Sequence, residues 1–191
     1  GDDFTYAAPQ PTISSLSPVS GPVAGGQSVT ISGTNFQTVT SVTFGGTAAT
    51  SFTVDSATSI TAVTPAGAAG TVDVEVIAVG GTTTNTAADD YRYFGFPTIT
   101  GLSVANGPSS GGTTVVVTGT NLLGTTAVKF GTTNAASFTI DSNTQITAVT
   151  AVTPAGPNDV RVTTPGGTTA NTSADDFTLY DVPTATARSD W

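Results

Sequence analysis

Cysteine, histidine and methionine are all missing from this chain of 191 residues, and the basic side chains number four: Arg92, Lys129, Arg161 and Arg188. Each shortage removes a class of function. Without cysteine no disulfide can form, so the fold rests on packing and hydrogen bonds alone. Without histidine or cysteine, neither a Ser-His-Asp nor a Cys-His arrangement can be assembled. Zinc sites built from Cys and His are excluded for the same reason. Four scattered cations against 13 acidic residues leave a net charge of −9. Nucleic-acid binding needs clustered Lys and Arg that displace counterions from phosphates, so no nucleic-acid partner is expected. An anionic membrane surface would repel the chain, and no run of 18 apolar residues is available to cross a membrane. Helical periodicity and a signal peptide are also absent.

What is present points to strands. Charged residues make up 9% and hydrophobic residues 37%, and the apolar positions alternate with polar ones over short runs. Thr, Val and Ile abound, and β-branched side chains favour strands. Twenty-two Gly and eleven Pro supply the turns between them; Gly21-Pro22, Gly25-Gly26 and Gly33-Thr34-Asn35 are read as such turns, the last with Asn or Gly able to take positive φ. A repeat then sets the organisation. Gly21-Pro22, Gly25-Gly26, Ser28 to Ile31, Gly33-Thr34-Asn35-Phe36 and Val42-Thr43-Phe44-Gly45 return as Gly107-Pro108, Gly111-Gly112, Thr114 to Val117, Gly119-Thr120-Asn121-Leu122 and Val128-Lys129-Phe130-Gly131. Gly21 and Gly107, Gly33 and Gly119, and Phe44 and Phe130 each stand 86 residues apart. A fixed period of this kind marks repeated structural units.

The doubled pattern resembles the IPT/TIG family, immunoglobulin-like modules of plexins, Rel-type transcription factors and many bacterial surface proteins. The resemblance implies an all-β chain of two tandem immunoglobulin-like β-sandwiches. It implies little about function, because such a module is a building block in many settings. The DNA-binding use made by Rel-type factors is opposed by the charge.

Four segments follow in order. Residues 1–9 read as the last strand of a preceding repeat, because Asp2-Asp3-Phe4 matches Asp89-Asp90-Tyr91 and Asp175-Asp176-Phe177. With no initiator Met, the chain is expected to be a window on a longer protein. Residues 10–95 form the first domain and residues 96–182 the second. The second has three extra residues near Ala151 to Thr153 and loses three in the loop that follows. Residues 183–191 depart from the pattern and are expected to be a tail or the entry to another segment. About seven short strands per domain are expected. The inward residues should be Val29, Ile31, Val42, Phe44, Phe52 and Ile60, and in the second domain Val115, Val117, Val128, Phe130, Phe138 and Ile146.

Candidate chemistry is sparse, and no cofactor is expected. Asp89 with Asp90, and Asp175 with Asp176, are adjacent on a strand and point to opposite faces, so neither pair converges on one glycosidic bond. These four carboxylates are the calcium candidates if loop oxygens join them, although a hard cation asks for six to eight oxygens. Asp73 and Glu75 share a face about 7 Å apart by strand rise, but their counterparts Asp159 and Arg161 form an ion pair. Lys129, the one lysine, alternates with core residues and therefore faces water. This argues against an isopeptide crosslink. Asn171-Thr172-Ser173 is a glycosylation sequon. Tyr93, Phe94 and Phe96 offer rings for sugar stacking or for packing between domains.

The function expected is a non-catalytic structural or adhesive module, a stalk or binding segment of a bacterial cell-surface or secreted repeat protein. Its partners would be a protein or glycan at a surface and neighbouring repeats. Two alternatives stand beside it: an accessory module of a larger secreted enzyme, including one acting on polysaccharides, and a phage virion appendage. The junction Tyr93-Phe94-Gly95-Phe96-Pro97 is short and aromatic, unlike a Gly/Ser linker. Pro97 fixes one φ and restricts Phe96 before it, so a semi-rigid rod is expected. Small-angle scattering checks this: Phe94→Ser with Phe96→Ser should broaden the interdomain distance distribution while both sandwiches stay folded.

Overall fold

The computed structural model describes residues 8–183. Of the preceding-repeat strand read at residues 1–9 only residues 8 and 9 are described, and of the tail read at residues 183–191 only residue 183, none of them in a strand; the rest of both lies outside it. The chain divides into two units, residues 1–95 and 96–191.

The first unit runs through β1 (Thr12–Ser17), β2 (Ser20–Pro22), β3 (Ser28–Thr34), β4 (Val39–Phe44), β5 (Thr47–Ala48), β6 (Ser51–Ser56), β7 (Ser59–Val63), β8 (Gly70–Ala78), β9 (Gly81–Thr82) and β10 (Asp90–Phe94). One sheet has the order β1-β3-β7-β6. The other has the order β2-β10-β8-β4-β5, with β9 added to β8. All pairs are antiparallel except β2 with β10. The two sheets close on one core. Val29, Ile31 and Ile60 meet Val42, Phe44, Val74, Val76 and Tyr91 there. Phe52 is partly buried and packs against that core. The alternation is as the sequence dictates: in β3, Val29 and Ile31 are buried while Ser28 and Thr30 are exposed. Removing each large apolar side chain from water contributes roughly 1.5–3 kcal/mol.

The second unit repeats this with β11 (Thr98–Leu102), β12 (Asn106–Pro108), β13 (Thr114–Thr120), β14 (Ala127–Phe130), β15 (Thr133–Asn134), β16 (Ser137–Ser142), β17 (Gln145–Val149), β18 (Gly156–Thr164), β19 (Gly167–Thr168) and β20 (Asp176–Tyr180). Its sheets have the orders β11-β13-β17-β16 and β12-β20-β18-β14-β15. The duplicated Ala-Val-Thr lies in the loop between β17 and β18. A 3-10 turn over Phe36–Thr38 is the one helical element among the described residues. Leu122 replaces Phe36 without such a turn and is equally buried.

Two readings change in three dimensions. Gly21-Pro22 and Gly107-Pro108, read as turns, are β2 and β12, each parallel to the last strand of its unit. Gly21 lies under the Tyr91 hydroxyl, where an added Cβ would sit 2.2 Å from the oxygen. Gly33 and Thr34, also read as turn, belong to β3. Only Asn35 takes the left-handed conformation, at φ 63. Gly33 is required for a different reason. A Cβ there would lie 1.9 Å from the Thr12 carbonyl oxygen, and the same distance separates one on Gly119 from the Thr98 carbonyl. The first strand crosses the third too closely for any side chain.

Gly33→Ala and Gly119→Ala should each destabilise their own unit by about 1–3 kcal/mol through overpacking. Chemical denaturation of the two-unit chain would read this as an earlier transition for the altered unit alone.

Candidate functional site

The polar residues that repeat between units are used inside each unit. Ahead of the last strand, Asp89 is buried and its Oδ1 accepts hydrogen bonds from the Thr86 N–H at 2.8 Å and the Thr86 hydroxyl at 3.1 Å. Its own carbonyl accepts from the Val74 N–H at 2.9 Å. Asp175 does the same with Thr172, at 2.8 and 3.2 Å, and with Val160 at 2.8 Å. A carboxylate accepting such bonds locks the turn that delivers β10 or β20 to the sheet. The second oxygen, Oδ2, is buried without a protein partner in both units.

Asp90 and Asp176 point the other way and are exposed on the outer sheet face. Across the strand pair, Asp90 stands opposite Asp73, and Asp176 opposite Asp159. The Asn85 and Asn171 amides donate to Asp73 and Asp159 respectively. The four calcium candidates are thus split between interior and outer face. Among the described residues no group of three or more acidic or other metal-ligating side chains comes together, so these residues do not fit the oxygen cage a hard cation requires.

On the outer face the units diverge. In the first, the Thr43 hydroxyl donates to Glu75 at 3.2 Å. In the second, Lys129 and Arg161 replace them as direct cross-strand partners. The expected ion pair is present, with Arg161 Nη2 3.8 Å from Asp159 Oδ2, and Arg161 Nη1 also donates to the Thr169 carbonyl at 2.6 Å. Lys129 is exposed, as its alternation implied.

The residues read as junction packing have these contacts. Tyr93 belongs to the core of the first unit and donates to the Pro65 carbonyl at 2.9 Å. Phe94 carries the Arg92 guanidinium 4.8 Å above its ring. Phe96 is 53% exposed, whereas Pro97 is buried. With Thr98, Ile99, Thr168, Ala170 and Thr172 they line a hollow of about 330 Å³ in the second unit. Its hydroxyls are already engaged: Thr98 with Thr120, Thr168 with Thr163, and Thr172 with Asp175. The free feature of the hollow is therefore the Phe96 ring. In the first unit Gln10 takes this place and its amide donates to the Thr82 carbonyl. Aromatic composition pointed to Phe96. Nothing in the sequence alone showed the hollow, because β19 reaches it from 70 residues away.

Two tyrosines carry the main electrostatic difference between the cores. Tyr91 is packed edge-on between Phe44 and Tyr93, with ring centroids at 5.3 and 5.1 Å, and its hydroxyl has no hydrogen-bond partner. Burial, with Tyr93 adding to it, raises its pKa from 10 to about 12. Burial raises Tyr93 as well. The second unit has Phe177 and Leu179 at these positions.

The IPT/TIG domain family matches residues 11–93 and again residues 97–179. No curated protein matches the sequence. Among solved structures, the full extracellular region of plexin A4 is 24% identical with a TM-score of 0.56, over 95% of this chain and 16% of that one. SGBP-B from a complex xyloglucan utilization locus in Bacteroides uniformis is 23% identical with a TM-score of 0.40, over 91% of this chain and 50% of that one. The chain thus spans about a sixth and a half of their respective lengths.

The tyrosine chemistry fixes an alkaline response. A phenol kept neutral in the fold but free to ionise when unfolded stabilises fully below pH 10, and that contribution is lost as pH rises from 10 towards 12. The melting transition of the first unit should fall over this window while that of the second does not follow it. Tyr91→Phe should weaken the dependence and leave stability at neutral pH unchanged or raised by about 1 kcal/mol, since it removes an unpaired buried hydroxyl. Calorimetry across pH 7–12 reads both.

Proposed function

The chain belongs to the IPT/TIG family twice over, and from that premise we propose that it is a non-catalytic structural and adhesive module of a cell-surface or secreted protein. The observation that carries this reading is the division between what repeats and what does not. Asp89 and Asp175, Asn35 and Asn121, and Thr83 and Thr169 recur with the same hydrogen bonds, and every one of them holds backbone in place. What repeats is scaffold. Some of the differences, Gln10 against Phe96, Thr43 against Lys129 and Glu75 against Arg161, change the outer face, where partners meet a module, and those in the cores, such as Tyr91 against Phe177, keep the interior apolar.

In this reading the interior bears load and spacing, while the exposed side chains make contacts with a protein or glycan. The exposed Phe96 ring beside its hollow is the place for an apolar ligand face, such as one side of a sugar ring or an aliphatic side chain. The non-catalytic part of the reading is supported by the lack of histidine and cysteine, which removes the common nucleophile and general-base arrangements.

The test is a binding screen of the two-unit chain on glycan and protein arrays, together with assays for released sugar on soluble polysaccharides and for binding to duplex DNA at physiological salt. Expected is no product and no DNA binding, with any glycan affinity reduced by Phe96→Ala. Turnover by the purified chain would overturn the non-catalytic reading.

A further inference from the structure

Each sandwich has four edge strands at the ends of its two sheet orders, and three of them are blunted, as is the two-residue β9 or β19 added beside β8 or β18. β1 follows Pro11, ends at Pro18 and shifts register between Ile13 and Ser15. β11 follows Pro97 and shifts between Ile99 and Gly101. β2 and β12 are three residues long and end in Pro22 and Pro108, and β5 and β15 are two residues long. Such short, kinked or proline-bounded edges do not template another strand. The fourth edge is different. β6 and β16 are six residues long, with no proline and no lysine, and they terminate the order of their sheets. No described residue pairs along their outer side. Their irregularity falls late, between Val54 and Ser56 and between Ile140 and Ser142. The stretches Ser51–Val54 and Ser137–Ile140 are regular, with alternate N–H and C=O groups facing water.

The sequence of this edge complements itself. β6 reads Ser-Phe-Thr-Val-Asp-Ser and β16 reads Ser-Phe-Thr-Ile-Asp-Ser. In an antiparallel pair, residues directly opposite share a face. If two copies of β16 meet about a two-fold axis through Thr139, Thr139 lies opposite Thr139. Phe138 then lies opposite Ile140 on the core side, and Ser137 opposite Asp141 on the outer side. Threonine pairs and aromatic/β-branched pairs are the favourable cross-strand combinations, and no carboxylate faces another. Asp141 is also drawn back along its own sheet, accepting from the Thr147 hydroxyl at 2.7 Å, as Asp55 does from Thr61 at 2.8 Å. The flank behind β16 is incompletely filled. A hollow of about 210 Å³ opens between the sheets there, lined by Val128, Ala135 and Phe138 among others. In the first unit Val54 is 37% exposed on the same side.

We propose that β6 and β16 are self-association edges, pairing antiparallel with the same edges of a second copy of this chain. Sheets then continue from one copy into the next, and Phe138 is covered by the isoleucine opposite it. One six-residue edge buries far less than the roughly 1,600 Å² of a standard interface, so a single contact is weak. Two such edges per chain make the association multivalent, which suits modules displayed side by side on a surface.

Sedimentation of the two-unit chain up to about 1 mM, the range in which so small an interface is populated, should show reversible, concentration-dependent association. Thr53→Lys with Thr139→Lys places lysines directly opposite one another and should abolish it. Thr30→Lys with Thr118→Lys adds the same charge on exposed positions of interior strands and should leave it in place. Because the chain has no cysteine, Thr139→Cys supplies a second reading. It should give disulfide-linked dimers under mild oxidation, and Thr118→Cys should not. A chain that stays monomeric at 1 mM, association that survives lysine at both edges, or equal crosslinking from the two cysteine variants would each overturn the proposal.

Discussion

Each unit depends on how its last strand is held. β10 and β20 carry large core side chains, Tyr91 and Tyr93 in one and Phe177 and Leu179 in the other. They sit between an antiparallel neighbour, β8 or β18, and a parallel fragment, β2 or β12. The turn before each is closed by one buried aspartate. Its carboxylate accepts from the chain three residues back, and its carbonyl accepts from the neighbouring strand. A chain without disulfides has no covalent fallback, so this small set of bonds sets where the core rings lie. Buried threonines extend the same device. Thr64 and Thr150 accept from the N–H of Gln27 and Thr113, and Thr83 and Thr169 from those of Val76 and Val162. Backbone groups that neither sheet can pair are satisfied by short side chains close at hand, as a thin core demands.

The functional consequence follows from where freedom remains. Positions fixed by these bonds are the same in both units, and several outward positions beyond them are not. The outer face of the first unit is acidic and hydroxylic around Asp73, Glu75 and Thr43. That of the second opposes Lys129 to Arg161. The entry to the first unit is a hydrogen-bonded glutamine and that to the second an exposed phenylalanine. One scaffold therefore presents two different surfaces, while its interior stays apolar under the exchanges of Phe36 for Leu122, Tyr91 for Phe177 and Tyr93 for Leu179.

The sheet edges obey the same economy of means. Proline, brevity and register shifts close most of them. The one long open edge in each unit has the same Ser-Phe-Thr core, so any partner that continues one sheet can continue the other.

The sequence by itself determined the two-unit organisation, the all-β class and the inward face of the principal strands, because the 86-residue period and the two-residue alternation are local properties of the chain. It also marked Gly33-Thr34-Asn35 as a place where Gly or Asn could take positive φ, of which Asn35 does so, and it assigned Asp159 and Arg161 to one ion pair, since they lie two apart on a strand. Tertiary structure alone decided the rest. Gly21-Pro22 looks like a turn in sequence and becomes a strand because β10, some 70 residues later, lies beside it. Gly33 looks like turn punctuation and proves to be a point of contact with the Thr12 carbonyl. Asp89 and Asp90 look like one acidic pair, yet one closes a buried turn and the other faces water. The hollow beside Phe96 and the open flank beside Phe138 arise from segments distant in sequence. Periodicity encodes which way a side chain points, but not which strand arrives opposite it, and that arrival is settled only when the whole core closes.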